Sequence, residues 1–410
     1  MLELPAGWRR IGGKSKTLSS SDANEQERAV YGLSAFVNGC AIQEPNNVVS
    51  MACLHCEGSR NRVLPPNHLT RYTGVILMGF GKLGQAVTAR EVFELVRDDL
   101  ERVEKEISRE SVASVDAITA IGQYLQEAGG KRLRPSLLLL SSKLIGDGGE
   151  SAIRLGAVVE MIHAATLVHD DVIDAAETRR GRPSANVQWG NHTCVLGGDW
   201  LYMQAFHMAL GERNFHILDL LIGLTQMMVE GELIQLERIG RIDVTEADCM
   251  ELVDRKTACL FSVCAKLGAL TAGADSATEE RLGEYAWNLG MAFQLVDDVL
   301  DFTAREQTLG KPVGGDLREG KVTLPLVYAL ERTSPEERRA VERVLADRHY
   351  DNVPFRQILA LVERHQGIDR VRERAQAFTD KARQLIAEFP ESPHQRALYG
   401  ITELVTERDH

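Results

Sequence analysis

The chain has 410 residues, 44% of them hydrophobic, with 59 acidic against 47 basic side chains and a formal net charge of −12. That apolar share can fill a core, which excludes wholesale disorder, and the acidic balance argues against a general nucleic-acid binder. No run approaches about 18 apolar residues, so no bilayer span is expected, and the basic opening lacks the apolar stretch of a secretory signal. Seven cysteines fit a reducing compartment better than a disulfide scaffold, so the expected location is cytoplasmic.

Residues 1–84 read as an irregular extension. They carry 9 basic and 6 acidic residues, hold Pro5, Pro45, Pro65 and Pro66, and sustain no helical period beyond a turn or two. Cys53-Leu-His-Cys56 resembles half of a zinc knuckle. A structural zinc needs four ligands in two pairs, and Cys40, His55 and His68 complete that set poorly.

Residues 85–410 read as one all-α domain. Val92, Val96, Leu100, Val103 and Ile107 recur at helical spacing with acids between them. Further helices are predicted over 111–128, 135–145, 151–175, 193–211, 214–238, 245–272, 277–303, 321–332, 335–348, 354–364 and 368–388, with most Gly and Pro falling between them. No period-2 alternation is convincing, so strands are expected to be absent or trivial.

Two stretches carry the chemistry. Leu167-Val-His-Asp-Asp-Val-Ile-Asp174 and Leu295-Val-Asp-Asp-Val-Leu-Asp301 each end an apolar helix with Asp-Asp-x-x-Asp. On a helix Asp170 and Asp174 face the same way, as do Asp297 and Asp301, and carboxylates that close repel one another. A divalent cation removes the conflict. Oxygen-rich sites with few protein ligands suit Mg²⁺, which keeps waters and shares substrate phosphates. One such motif could be a solvated acidic face; two copies 127 residues apart, both in apolar surroundings, are hard to read that way. Cations lie nearby in sequence: Gly129-Gly-Lys-Arg-Leu-Arg-Pro135, Glu177-Thr-Arg-Arg-Gly181, Arg255-Lys-Thr257, Lys311 and Lys321. Guanidinium forks and ammonium groups hold diphosphates, so the combination implies a cavity for Mg²⁺ and two polyanions.

With these residues the chain resembles the trans-isoprenyl diphosphate synthases, and within them the longer-chain, octaprenyl-type polyprenyl synthases, over about residues 90–410. The resemblance implies an isoprenoid-synthase-type helical bundle around a deep central cavity, usually homodimeric. It implies repeated condensation of isopentenyl diphosphate onto an allylic diphosphate primer, giving a lipid-soluble product. By it Lys131, Arg134, His163 and Arg180 bind isopentenyl diphosphate, and Arg179 clamps the allylic diphosphate. Lys256, Thr257, Gln294 and Lys311 hold the allylic substrate too, and Lys321 adds a binding cation. Asp170, Asp171, Asp174, Asp297, Asp298 and Asp301 ligate three Mg²⁺ per site, with Mn²⁺ able to substitute. His163 could instead be a core histidine, but it lies seven residues before Asp170, two turns along one face.

Helix turns rise about 5.4 Å, comparable to one prenyl unit, so the face below Asp170 meets the growing tail. Short-chain members of the family block this turn with aromatic residues; here it is Ala165 and Thr166, with Ile162 a turn deeper. The 199–211 helix is expected to supply a floor through a face shared by Met203, Phe206 and Leu210, with Phe206 the preferred candidate. Residues 1–84 match nothing in the family, and the short basic C-terminal tail of farnesyl-type synthases is missing. A shorter-chain synthase is the alternative; a terpene cyclase would not need Lys131, Arg134 and Arg180, and a non-catalytic subunit would typically lose an aspartate motif.

Overall fold

The structure is a computed structural model that describes residues 89–303 and 313–406. Lys311, Cys40, Cys53, His55, Cys56 and His68 lie outside the described residues, as does the whole 1–84 segment.

The described chain is helical, as its periodicity predicts. In order it forms α1 (Ala89–Glu94), α2 (Arg97–Glu110), α3 (Asp116–Glu127), α4 (Leu133–Ile145) and α5 (Gly149–Ile173). A two-residue antiparallel pair follows, β1 (Thr178–Arg179) and β2 (Arg182–Pro183). Then come α6 (Ala185–Trp189), α7 (Asn191–Leu210), α8 (Phe215–Arg238), α9 (Glu246–Val253), a π turn (Asp254–Ala258), α10 (Cys259–Thr271) and α11 (Ser276–Thr303). The C-terminal half closes with α12 (Gly315–Arg318), α13 (Leu324–Leu330), α14 (Pro335–Asp347), α15 (Phe355–Arg364), α16 (Gly367–Ala387) and α17 (Pro393–Thr406).

Two helices form the centre. α5 packs on α2, α4, α7 and α10, while α11 packs on α10, α16 and α17. Their sequences are apolar around much of the circumference, as expected for helices surrounded by protein rather than water. α5 is also the one described helix whose length and composition would allow it to cross a membrane, although polar residues interrupt its apolar run; 67% of its most apolar window is buried in this fold. It is a core helix. The buried Tyr285 hydroxyl of α11 donates to the Leu398 carbonyl of α17 at 2.6 Å, satisfying a polar group that burial would otherwise penalise.

Several predicted boundaries shift for local reasons. The helix expected from residue 111 starts at Asp116, because 111–115 bends with Val112 and Val115 exposed. The predicted 245–272 helix is interrupted by the π turn, whose Asp254 carboxylate accepts from the Trp287 indole N–H of α11 at 2.6 Å. The predicted 321–332 helix starts late, at Leu324 with Pro325 in its first turn. Capping boxes at Thr245/Asp248 and Ser334/Glu337 set the starts of α9 and α14.

Candidate active site

Both aspartate motifs sit at the C-terminal ends of the central helices, on α5 and α11. Carboxylates there oppose the helix dipole, so each cluster depends on charge supplied from elsewhere in the fold. At the first motif Asp171 is buried to 1% exposure, and Arg179 reaches it through Nε and Nη2, both at 2.7 Å from Oδ1. The tight turn between β1 and β2 makes this reach possible. Arg180 and Gly181 occupy it with φ of 54° and 74°, the positive-φ pair of a type I′ hairpin, so two adjacent arginines are carried back toward α5. Asp174 accepts from Lys321 Nζ at 2.8 Å, and Lys321 also binds Glu319 at 2.8 Å. Burial works against the Lys321 ammonium, but Glu319 and Asp174 together outweigh it and raise its pKa. Asp170 is pushed up by burial, which Lys256 opposes and the nearby Glu232 and Asp174 reinforce.

The second motif is deeper. Asp298 and Asp301 are 6% and 2% exposed. Gln294 donates to Asp298 at 2.9 Å and accepts from the Thr257 hydroxyl at 2.7 Å, tying α11 to the π turn that carries Lys256. Burial raises the Asp298 carboxyl well above its ordinary value, and Asp316, Asp297 and Asp301 add to that shift against the Gln294 hydrogen bond. The Asp316 backbone N–H donates to Asp301 at 3.3 Å.

Two clefts carry the cations that pair with the first motif. One is lined by Arg132, His163, Arg179 and Arg180 and by apolar side chains such as Ile107 and Leu201. The other is lined by Lys256, Gln294, Asp298, Asp316 and Lys321. Asp171 thus connects through Arg179 to the first cleft, and Asp174 connects through Lys321 to the second. Arg134 does not line the first cleft; it is half-buried, 5.6 Å over the Phe261 ring, with its Nε buried and without a hydrogen-bond partner. Burial lowers its pKa. His163 is held neutral, its pKa lowered well below the usual imidazole value by burial and by Arg134, Arg180, Arg179 and Arg132.

The structure therefore brings the predicted Arg179 and Lys321 to the first motif, and joins Lys321 with Lys256, Gln294 and Asp298 in the second cleft, where Thr257 bonds to Gln294. Ile162 and Ala165 are fully buried and line neither cleft; the α5 side chains on the first cleft are Glu160, Met161, His163, Ala164 and Leu167. The Thr166 hydroxyl donates to the His163 carbonyl at 2.8 Å. The expected shared face of α7 does not hold together: Met203 and Leu210 are 63% and 45% exposed, while Phe206 is half-buried against the core. Residues seven apart coincide on a helix, whereas Phe206 sits about 60° round from Met203.

The sequence reading missed Asp316, which lies in the glycine-rich stretch between predicted helices, and Glu232, one of several acids on the predicted 214–238 helix. Glu232 stands 4.0 Å from Lys256. The buried Gly231 and Gln235 on the same helix are the signal that this face was not solvated.

For metal binding, the donors are hard carboxylate oxygens, and Asp171 Oδ2 is buried without a hydrogen-bond partner. Among the described residues no three His, Cys, Asp or Glu side chains converge as a self-sufficient metal site. The hard carboxylate oxygens fit a divalent cation that takes one or two carboxylates and completes its shell with water and substrate phosphate.

A helical bundle in which two aspartate-tipped central helices meet cationic clefts is the architecture of a prenyl-transferring enzyme. The polyprenyl synthetase family model matches residues 115–362, and the chain belongs to that family. It is 37% identical over 320 residues to an octaprenyl diphosphate synthase of Haemophilus influenzae, covering 78% of this chain and 97% of the relative. It is 36% identical over 320 residues to the geranyl-diphosphate-specific all-trans-nonaprenyl-diphosphate synthase of Rhodobacter capsulatus, covering 78% of this chain and 98% of the relative. The fold matches the crystal structure of a polyprenyl synthase from Caulobacter crescentus complexed with calcium and isoprenyl diphosphate, with a TM-score of 0.76, 35% identity and coverage of 80% and 99% of the two chains.

Proposed function

We propose that this enzyme condenses isopentenyl diphosphate repeatedly onto an allylic diphosphate primer, making an all-trans polyprenyl diphosphate of about seven to ten isoprene units, octaprenyl favoured. The carrying observation is a pair of clefts with separate sets of cations, Arg179 and Arg180 on one and Lys256 and Lys321 on the other, of which Arg179 and Lys321 also pair with the first aspartate motif. Two anionic substrates require two such places; a terpene cyclase requires one. The long-chain relatives support the length.

In this reading Lys256, Lys321 and Arg179 hold the allylic diphosphate, with Thr257, Gln294 and Lys311 beside it. Lys131, Arg134, Arg180 and neutral His163 orient isopentenyl diphosphate. Mg²⁺, three ions per site with Mn²⁺ able to substitute, would be held by Asp170, Asp171, Asp174, Asp297, Asp298 and Asp301, and when bound it supplies positive charge to the leaving diphosphate. The allylic C1–O bond breaks with its electron pair going to the diphosphate. The isopentenyl double bond then forms the new C–C bond, and a proton passes to the departed diphosphate. The cations lower the barrier by meeting charge where it develops, and close positioning limits capture by water. The product is allylic again, so the cycle repeats.

A homodimer is part of the proposal. Leu196, Met203 and Leu210 on α7 and Ile222, Val229 and Leu236 on α8 are exposed and spaced by seven, so each helix presents one apolar row outward. Such a row fits a second copy of the same surface. The location proposed is cytoplasmic, in keeping with the free buried thiols of Cys194, Cys249, Cys259 and Cys264. The chemistry is assigned to residues 85–410, so a chain beginning at Gln85 keeps its turnover.

Incubating purified protein with labelled isopentenyl diphosphate and an allylic primer, with chromatography of the product, tests the reading. Label in an all-trans product of about seven to ten units supports it. A farnesyl product would defeat the length, and no incorporation would defeat the activity.

A further inference from the structure

The turn Gly129–Arg134 carries three cations in four positions, Lys131, Arg132 and Arg134, and the sequence alone offers all three to an anion. The structure separates them. The Arg132 guanidinium fork is taken up by two carboxylates from other elements: Nη1 donates to Glu160 of α5 at 2.7 Å, Nη2 donates to Glu104 of α2 at 3.1 Å, and Nε donates to the other Glu104 oxygen. Burial opposes the Arg132 charge, but Glu160 and Glu104 outweigh it and raise its pKa. With its fork directed at both carboxylates, Arg132 has little left to offer a diphosphate.

Its backbone shows what the clamp achieves. Arg132 stands at φ 47° and ψ 33°, the left-handed region that non-glycine residues avoid, immediately before the first residue of α4. That conformation reverses the chain so that Lys131 ends the turn and Arg134 enters the helix. Glu104 is itself fixed: the Gln126 amide of α3 donates to the Glu104 carbonyl at 2.9 Å and to its carboxylate at 2.7 Å. The turn also lies close to the other substrate-facing arginine. A Cβ on Gly130 would stand 3.3 Å from Arg180 Nη1 and 3.4 Å from Arg132 Nη1.

We infer that Glu104 and Glu160, acting through Arg132, are positioning residues that hold the Gly129–Arg134 turn in the one geometry that presents Lys131 and Arg134 to isopentenyl diphosphate. The inference rests on the proposed assignment of that turn to isopentenyl diphosphate.

Glu104 separates positioning from simple electrostatics because the two predict opposite signs. Removing a negative charge near an anion site should tighten anion binding, whereas removing one arm of the clamp should loosen it. Steady-state kinetics of the full-length Glu104→Ala and Glu104→Gln variants decide between them, with melting temperatures measured alongside. The expected result for Glu104→Ala is a KM for isopentenyl diphosphate raised about tenfold, with kcat and the allylic KM within about twofold of wild type. Glu104→Gln, which keeps one acceptor oxygen for Arg132, falls between, and it decides the matter if the alanine variant is unstable. A KM for isopentenyl diphosphate that falls or stays put overturns the inference, as does an equal rise for both substrates. If wild type incorporates no isopentenyl diphosphate, the functional reading fails separately. The clamp is then decided by calorimetry with inorganic pyrophosphate: weaker binding by Glu104→Ala supports it and unchanged or tighter binding overturns it.

Discussion

The two Asp-Asp-x-x-Asp segments share a pattern and a place at the end of a central helix, yet the fold gives them opposite surroundings. The α5 motif is joined to cations brought from a distance, Arg179 from the adjoining hairpin and Lys321 from far along the chain. The α11 motif is buried among further acids, with Asp316, Asp297 and Asp301 all raising Asp298. The segment after each helix differs: a basic two-strand turn in one case, and in the other a glycine-rich stretch of mixed charge that brings Asp316 to the second motif and Lys321 to the first. A motif therefore fixes which ligand atoms are offered, while its flanks decide which charges stand beside them. In the proposed chemistry both clusters hold metal, and the first does so next to the arginine that meets the anion.

The largest expected effect treats the motifs as equals. Asp170→Ala and Asp297→Ala should each lower kcat by about 10²-fold or more while leaving circular dichroism unchanged, because each removes an electrostatic contribution to leaving-group departure. More than a tenth of wild-type turnover in a folded variant would sink the assignment of that motif. EDTA should abolish turnover in both settings, and excess Mg²⁺ should restore it; activity persisting in chelator would contradict the metal role.

Stability should break the symmetry. Asp171→Asn weakens a charge-assisted pair with Arg179, a loss of about 1–3 kcal/mol. Asp298→Asn should do the reverse in metal-free protein. Its folded-state pKa lies above the unfolded value, so the ionised carboxyl costs stability at neutral pH, and that cost disappears as pH falls below the unfolded value. Each kcal/mol corresponds to about 2–4 °C in a domain of this size, so the two variants should melt on opposite sides of wild type. Equal destabilisation by both would mean that the two clusters are electrostatically alike after all.

The helices and both motifs were legible in the sequence because they rest on local signals: a 3.6-residue period, glycine and proline punctuation, and acids four apart. The π turn was not: its Asp254 is bonded to Trp287 on another helix, a contact that no local pattern reveals. Partner choice was equally hidden. Arg132 and Arg134 are two residues apart in one basic run, yet one closes on Glu104 and Glu160 while the other lies over Phe261. Only the approach of α2 and α5 to the turn makes that distinction. The α7 face expected to floor a tunnel shows a related limit: helical spacing says which residues lie near one another, and says nothing of whether each meets the core, as Phe206 does, or the outside, as Met203 and Leu210 do.

The smallest effect concerns the residues one turn beneath each motif, and here the comparison becomes a statement about product length. Beneath Asp297 the space is filled: Phe293 of α11 packs on Phe261 of α10 with ring centroids 5.3 Å apart. Beneath Asp170 the corresponding turn carries Ala165 and Thr166. A prenyl tail leaving the site would therefore extend along α5 rather than α11. If so, Ala165→Phe should shorten the product to about three or four units, since an aromatic ring one turn down, about 5 Å, stops the tail early. Ala165 is fully buried and stands on neither cleft wall, so the competing outcome has a definite form: the ring overpacks the core at a cost of about 1–3 kcal/mol and the product length is unchanged. Ala164→Phe supplies the contrast, because Ala164 does line the first cleft. Shortening by Ala165→Phe with a preserved melting temperature places the tail against Ala165. A lowered melting temperature with unaltered product, together with an effect of Ala164→Phe on the KM for isopentenyl diphosphate, would show that this face of α5 packs the core and that the tail takes another route.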